Sequence, residues 1–357
     1  MQNMNNYFSP DYVTARARFQ ASVTRAGGRF DSLGIDAKGP KGEDLTIDIG
    51  WFGSAKPKRV VVHSCGLHGV EAFAGSAIQL QWLDEGLPSL SGGAAIAMVH
   101  VVNPYGMAWL RRVNENNVDL NRNFLAAGEV FAGAPEGYRM LNAFLNPPTP
   151  PSHDLFYVQA GWLVARHGLK TLQQAIAGGQ YDYPKGLFFG GKRLEQGPAK
   201  FQEYMARCLT GVEFIVAIDI HTGLGKFGDD RLLVDAASAS FAKMRSVFGE
   251  RVQALDSTGV AHQTRGANYN MYYRLFPEAR TYFAAQEFGT YHAVRVVKAL
   301  RAENRRHQYG AGGIDHATKA ELREMFNPAA EEWRTAVLRR GREVIRQALG
   351  FAFEASR

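Results

Sequence analysis

The sequence of 357 residues contains only two cysteines, Cys65 and Cys208, and neither lies in a CxxC pattern. This scarcity argues against a disulfide-stabilised scaffold and against a cysteine-rich metal module. No apolar run approaches the length of about 18 residues that a transmembrane helix requires. The first ten residues are polar and lack the apolar centre of a secretory signal, so we expect a cytoplasmic protein.

Several motifs of hydrolases and nucleotide-binding proteins are lacking as well. The absence of GxSxG, GxxxxGKS/T and HExxH removes the central residues of a serine hydrolase, a P-loop protein and a classical zinc protease helix. The segment from Gly223 to Gly228 fits GxGxxG, but Asp229-Asp230 and an apolar run follow it, which favours a hairpin over a dinucleotide-binding helix. Cys65 has no identifiable base partner, so a packed residue is favoured over a thiol nucleophile.

Charge of one sign is not concentrated anywhere in the chain. Lys and Arg total 41 against 34 Asp and Glu, which gives a formal net charge of +7. Acidic residues interrupt the basic ones, so we expect neither a nucleic-acid nor a membrane partner, and at most an attraction for anionic substrates. Glutamates also interleave with the C-terminal arginines, which predicts a solvated helix face. These arginines are Arg301, Arg305, Arg306, Arg339, Arg340, Arg342 and Arg346.

Strand and helix patterns alternate along the chain. The apolar run at 213–220 is typical of a strand buried on both faces, so we predict an α/β fold, a three-layer αβα domain with a mixed, mostly buried central sheet. All residues, 1–357, are interpreted as one catalytic domain with an insertion at about 125–211 and a C-terminal helical region at about 292–357. Strands are expected near 29–36, 45–52, 59–64, 94–102, 213–220, 231–236 and 280–288. Helices are expected near 9–26, 69–83, 156–177, 292–306, 318–325 and 329–352.

Residues suited to metal binding follow two of the predicted strands. His68 and Glu71 are three residues apart at a strand-to-helix junction, and imidazole nitrogen and carboxylate oxygen are suitable zinc ligands. The competing interpretation is a helix start with Glu71 in its first turn, where the helix dipole favours a negative charge. His221 ends the most apolar strand and could supply a third ligand, while Asp219, on the same strand face, could orient it. A hydrogen-bonded histidine at a strand end is the alternative.

A third polar segment runs from Arg111 to Phe124. Arginine binds carboxylates through two parallel hydrogen bonds, and an adjacent asparagine can complete the contact. Taken alone, this segment also suits an ordinary surface loop.

The order of these motifs resembles the zinc carboxypeptidase superfamily, which includes carboxypeptidases A, B and D and the deacylases succinylglutamate desuccinylase and aspartoacylase. The resemblance spans about residues 45–292, and its most specific part is the DLNRNF segment. It indicates a bacterial-type branch of the superfamily with the same fold. The landmarks are His68-x-x-Glu71, Asn103-Pro104-x-Gly106, Asp119-Leu-Asn-Arg-Asn-Phe124, the strand ending in His221, and Glu287.

The resemblance implies a role for each matching residue. One Zn²⁺ ion per chain would be bound by His68, Glu71 and His221, and Glu287 would be the general base and acid. Arg112 would stabilise the oxyanion, and Asn121 with Arg122 would hold the terminal carboxylate of the substrate.

Two features depart from the superfamily pattern. The gap between Glu71 and His221 is long, and the substrate-capping tyrosine is not assigned among Tyr269, Tyr272 and Tyr273. The residue that sets side-chain specificity is also unassigned.

These implications predict a zinc-dependent hydrolase, a metallocarboxypeptidase or related amidohydrolase, that cleaves an amide bond next to a free carboxylate. The expected substrate is a small peptide. The alternatives are an N-acyl amino acid deacylase and a catalytically silent binding protein on the same scaffold. The oligomeric state is left open.

Overall fold

The computed structural model describes residues 4–152, 154–235, 240–255 and 265–353. Within them, eight strands form one sheet in the order β1-β2-β4-β3-β5-β8-β6-β7. The strands are β1 (Arg29–Lys38), β2 (Asp44–Gly53), β3 (Arg59–Cys65), β4 (Ala94–His100), β5 (Phe214–Gly223), β6 (Asp230–Val234), β7 (Val252–Ala254) and β8 (Arg280–Gly289).

Helices account for most of the remaining described residues. None of these helices is long and apolar enough to cross a membrane. They are α1 (Tyr12–Arg25), α2 (Ala72–Glu85), α3 (Pro104–Ala108), α4 (Glu136–Leu145), α5 (Phe156–His167), α6 (Leu169–Ala177), α7 (Gln196–Cys208), α8 (Ser240–Phe248), α9 (Tyr269–Leu275), α10 (Ala293–Tyr309), α11 (Ala317–Phe326) and α12 (Glu331–Phe353).

The centre of the sheet is parallel and its flanks contain antiparallel pairs. Strands β4, β3, β5 and β8 are parallel neighbours, whereas β1, β2 and β6 join the sheet antiparallel to a neighbour. The carboxyl ends of β3, β5 and β8 therefore meet at one edge, where open α/β sheets bind their ligands.

Alternation along the strands divides the core between the two faces of the sheet. Val61 packs with residues of α1, α2 and α12, while Val60 and Val62 pack on the opposite face with residues of α7 and α9. Every residue of β5 is buried. The three-layer arrangement and the mixed, mostly buried sheet are as predicted.

The segment at 125–211 is mainly helical and covers part of α10. Arg301 donates to the Phe144 carbonyl, Arg305 donates to the Thr149 carbonyl, and both arginines pair with Asp154. Arg301 and Arg305 are 5% and 4% exposed. The predicted solvated face is therefore wrong for this part of α10, because the arginines are buried and find their acceptors at Phe144, Thr149, Pro150 and Asp154.

The connection after β5 also differs from the expectation. Strand β6 begins at Asp230, so no helix follows the GxGxxG segment, as predicted. However, β6 pairs with β8 and not with β5, so the expected hairpin is wrong. Strand β8 lies between β5 and β6 in the sheet. Its apolar residues suit this buried position next to β5.

Candidate active site

The candidate ligands and Glu287 meet at the carboxyl edge of the sheet. His68 and Glu71 follow β3, in a turn and a short 3₁₀ helix at Gly69–Glu71. His221 lies near the end of β5, and Glu287 is its register partner on β8. Three parallel strands thus bring together four residues that are far apart in the sequence.

The turn that carries His68 and Glu71 is held by close contact between its backbone and the backbone of residues 106–112. The Gly69 amide donates to the Arg112 carbonyl at 3.1 Å, and the Val70 amide donates to the Arg111 carbonyl at 2.8 Å. A Cβ atom on Gly69 would lie 2.1 Å from the backbone of Gly106. Only glycine fits at residue 69, so this residue fixes the position of both candidate ligands, His68 and Glu71.

Three donor atoms converge at the edge of the sheet. His68 Nδ1 lies 2.9 Å from Glu71 Oε1, and His221 Nδ1 lies 3.2 Å from Glu71 Oε2. The two Nδ1 atoms are 3.3 Å apart. All three side chains are buried, and the donor atoms lie within 4.8 Å of one another.

Each histidine contacts a carboxylate through its Nε2 atom, the ring nitrogen that does not join the donor cluster. Asp219 Oδ2 lies 2.8 Å from His221 Nε2, and it also accepts from the Asn268 side chain, while Asp219 Oδ1 accepts from Ser64. Asp119 Oδ1 lies 3.0 Å from His68 Nε2. Such partners orient a ligating ring and keep its other nitrogen available.

The donor set fits a divalent metal ion. Asp219 lies at Nε2 of His221, and a neutral ring with its proton on Nε2 presents a lone pair on Nδ1 to a cation, next to a Glu71 oxygen and the Nδ1 atom of His68. In a tetrahedral site with metal–nitrogen bonds of about 2.0–2.1 Å, two ligand nitrogens lie about 3.3–3.4 Å apart, and the His68 and His221 Nδ1 atoms are 3.3 Å apart.

The cluster shifts the acidity of its members. Burial alone would raise the pKa of Glu71, but His68, His221 and Arg112 outweigh burial and lower it. Burial would lower the pKa of His221, but the carboxylates of Asp219 and Glu71 raise it well above its usual value. Glu287 is different: burial, reinforced by the nearby Glu71 carboxylate, raises its pKa to about 7. A group with this pKa can exchange a proton near neutrality.

Glu287 is held by one backbone contact. Its Oε1 accepts from the Leu224 amide at 2.8 Å, and the side chain lines the cavity beside the three donor atoms. Among the residues that the structure describes, it makes no hydrogen bond or ion pair with the three candidate ligands.

Arg112 lies against the same cluster. Its Nη1 donates to Glu71 Oε1 at 2.8 Å, its Nε donates to Asp119 Oδ2 at 3.2 Å, and its Nη2 lies 2.8 Å from His68 Nε2. Burial alone would lower the pKa of Arg112, but Asp119 and Glu71 raise it. The guanidinium therefore stays charged next to the donor atoms.

Arg122 is a buried cation with neutral partners. It donates to the carbonyls of Asn121 and Ala177, and its Nε has no partner among the described residues. Burial lowers its pKa. Asn121 lies next to it on the cavity wall and accepts from the Asn268 amide through its side chain. A buried guanidinium without an acid favours the binding of an anion.

These residues line one cavity of about 370 Å³. Its apolar walls come from both sides of the cleft, from the end of α6 on one side and from β6 and β8 on the other. Tyr269 at the start of α9 lines it as well, whereas Tyr272 is buried and Tyr273 is not among the lining residues. The cavity thus places one of the three candidate tyrosines at the site. Its apolar lining includes Ile176, Ala177, Phe188, Leu233, Phe283, Ala285, Val296 and Phe326.

Two of the contributors were assigned no role from the sequence. Asn268 contacts Asp219 through a fold-dependent approach of α9, and no motif marked it. Asp119 contacts His68. It belongs to the DLNRNF segment, and this segment was the sequence feature that could have indicated its place at the site. Cys65 is fully buried beside Gln79 and Val99, and burial raises its pKa well above the usual value, in agreement with a packed residue.

Comparison with known proteins gives one family match. A model of the family DUF2817, described as a protein of unknown function, matches residues 8–340. No curated protein matches the chain.

The chain is also similar to several solved structures. One is carboxypeptidase A from Helicoverpa armigera, with 14% identity, coverage of 96% of this chain and 74% of that chain, and a TM-score of 0.49. Bovine thrombin-activatable fibrinolysis inhibitor, in complex with tick carboxypeptidase inhibitor, has 12% identity, coverage of 94% and 99%, and a TM-score of 0.45. The murein-tripeptide amidase from Escherichia coli O157 has 16% identity, coverage of 79% and 92%, and a TM-score of 0.37.

Proposed function

The chain belongs to the DUF2817 family, and we propose that it is a zinc-dependent hydrolase that cleaves an amide bond next to a free carboxylate. The observation that carries this proposal is the convergence of His68 Nδ1, a Glu71 oxygen and His221 Nδ1 within 4.8 Å, with Glu287 on the adjacent strand. Three protein ligands leave a position open for water and substrate, as hydrolysis requires.

A zinc ion held by these donors supplies polarisation of the scissile carbonyl and a more acidic water. Glu287 would accept a proton from the attacking water as the water oxygen bonds to the carbonyl carbon, and it would return the proton to the nitrogen when the C–N bond breaks. Its pKa of about 7 suits both transfers. The products are a carboxylic acid and an amine, and no covalent enzyme intermediate is needed.

Arg112 supplies positive charge where the carbonyl oxygen becomes negative. It lies against Glu71 and Asp119, so it is held in place before the substrate arrives. Loss of one preorganised donor of this kind lowers turnover by about 10²–10³-fold in well-studied hydrolases.

Arg122 and Asn121 bind the free carboxylate of the substrate in this proposal. The support is the absence of any ion-pairing acid for Arg122 among the described residues, together with its place on the cavity wall. A small peptide with a free carboxyl end and an N-acyl amino acid both present this group. The N-acyl amino acid deacylase therefore remains the alternative substrate class, and the cytoplasmic location remains a prediction.

A catalytically silent binding protein is less consistent with the site. A binding protein has no need of a buried carboxyl group that lines the cavity beside the candidate metal donors without pairing with them, and Glu287 is such a group.

A matched pair of substrates tests the carboxylate clamp. The measurement is kcat/KM for a blocked dipeptide with a free carboxyl end and for its C-terminal amide, with wild type and with Arg122→Ala. We expect the wild type to prefer the acid by at least about 100-fold, because the amide leaves Arg122 buried and unpaired. Arg122→Ala should lose most activity on the acid and little on the amide.

Arg122→Lys is the matched control for charge without the planar fork, and it should restore activity poorly. Equal use of acid and amide by the wild type would contradict the clamp and the exopeptidase assignment together.

A further inference from the structure

Two guanidinium groups on the cavity wall form no ion pair. Three arginines contribute to the wall, and Arg112 pairs with the carboxylates of Glu71 and Asp119. Arg122 and Arg231 form no ion pair with any residue that the structure describes, although Asp119 acts on Arg122 at longer range. Each of the two is therefore available to an anionic group of a ligand. Such a cavity favours a ligand with more than one negative charge.

Arg231 faces the cavity because of its register in the sheet. It lies on β6 directly opposite Glu287 on the antiparallel strand β8, and directly opposite residues share a sheet face. Leu233 and Ala285 form the next pair on that face, and both line the cavity. The Arg231 guanidinium also reaches the loop after β5, since a Cβ on Gly225 would lie 4.0 Å from its Nε.

On the opposite face of β6, a charged side chain is fully paired within the fold. Asp230, the residue before Arg231, is bound by Arg251, Arg340 and Gln286. Arg231 is half-buried, yet it has no hydrogen-bond acceptor, ion-pair partner or stacked aromatic ring among the described residues. A half-buried guanidinium that stabilises no contact of the fold is therefore available to a ligand.

We propose that Arg231 binds a second carboxylate of the substrate, so that the residue released by hydrolysis is acidic. Arg122 holds the carboxylate next to the cleaved bond, and Arg231 holds the side-chain carboxylate. The apolar surface of Leu233, Phe283 and Ala285 contacts the methylene groups of that side chain. This inference rests on the proposed function, because it names the substrate class of the same site. The class comprises peptides with an acidic C-terminal residue and N-acyl derivatives of acidic amino acids.

A kinetic comparison uses substrates that differ only in that second charge. Blocked dipeptides ending in glutamate, glutamine and leucine are assayed with wild type, Arg231→Gln and Arg346→Gln, an exposed arginine outside the cavity. We expect the wild type to prefer glutamate over glutamine by at least about 10-fold in kcat/KM, as a desolvated ion pair allows. Arg231→Gln should bring this ratio to within about 2-fold, mainly through a loss on the glutamate substrate, whereas Arg346→Gln should match the wild type on all three substrates. N-acetylglutamate and N-acetylglutamine, assayed in parallel, distinguish the deacylase from the peptidase.

A binding measurement separates this inference from the proposed function. Free glutamate and free glutamine, the released amino acids, are titrated calorimetrically into chelator-treated protein. We expect glutamate to bind at least about 10-fold more tightly to the wild type and equally to Arg231→Gln. Selective binding without hydrolysis of any substrate would overturn the proposed function and leave the role of Arg231 standing. Hydrolysis with equal affinity for the two amino acids, or a preference for glutamate that persists in Arg231→Gln, would overturn the role of Arg231.

Discussion

Glu287 combines a buried carboxyl group with a contact to a single backbone amide. Burial and the neighbouring Glu71 carboxylate both disfavour its charged form, which is why its pKa is raised to about 7. Neither cause can be deduced from the QEFGT segment, because both depend on which strands lie beside β8. The sequence shows that a glutamate is present, whereas the pKa of that glutamate depends on the strands that the fold places around it.

The raised pKa of Glu287 should make the free energy of unfolding depend on pH, and the Glu287→Gln variant tests this. In the unfolded chain the carboxyl loses its proton near its usual value of 4.5, and in the folded chain near about 7. The folded state therefore holds the extra proton between these values, and its contribution to stability falls as the pH rises through that window. We expect Glu287→Gln to stabilise the metal-free protein at pH 8, by on the order of 2–3 kcal/mol, and to have little effect at pH 4.5.

Denaturant unfolding of chelator-treated wild type and Glu287→Gln at both pH values checks this expectation. The same variant, loaded with zinc, should retain the metal and lose at least about 10²-fold in turnover, as a lost general base does. A Glu287→Gln protein with the same pH dependence of stability as the wild type would show that the carboxyl is not protonated in the fold at neutral pH.

Among the elements, the turn after β3 depends most on a single residue. Any side chain at Gly69 would collide with the backbone of Gly106, which cannot move without displacing the loop to Arg112. We expect Gly69→Ala to lower the free energy of unfolding by about 1–3 kcal/mol or more and to weaken zinc binding, because His68 and Glu71 flank the turn.

Gly161 provides a matched control for this substitution. It lies within α5, and a Cβ there meets nothing within 4 Å. Gly161→Ala should therefore stabilise the protein by about 0.5–1 kcal/mol through helix propensity and leave zinc affinity unchanged. Chemical denaturation and zinc titration of the two variants give the comparison, and a harmless Gly69→Ala would show that the turn can open without loss of the ligands.

The elements also show how far the sequence could be interpreted. Strands β3, β5 and β8 were predicted to within about three residues, because their apolar runs need only local information. The meeting of His68, Glu71, His221 and Glu287 followed from strand ends and the resemblance. In contrast, the approach of Asn268 to Asp219 depends on how α9 packs, and the pairing of β6 with β8 depends on strand order. Neither leaves a periodic pattern in the sequence.

At the scale of the whole molecule, the metal site should link ligand binding to stability. The donors come from β5 and from the turn after β3, so an unfolded chain cannot present them together. An ion that binds the folded state alone stabilises it by about 2.7 kcal/mol at 100 times its dissociation constant. We expect stoichiometric zinc to raise the Tm of the wild type, and chelation to lower it.

His221→Ala should remove both effects, with no zinc detected by atomic absorption. His167→Ala, which changes a histidine at the end of α5, should behave as the wild type does. Stoichiometric zinc in His221→Ala would place the metal elsewhere.

The two histidine ligands are 153 residues apart in the chain, and this separation determines when the site can exist during synthesis. A ribosome adds about 5–20 residues per second, so His68 and Glu71 leave it roughly 8–30 seconds before His221 does. Until β5 enters the sheet, the emerging chain offers zinc one imidazole and one carboxylate, a weak two-donor site. Tight zinc binding therefore requires the pairing of β5 with β3, which brings His221 to the site. A chain truncated before β5 should release its zinc readily.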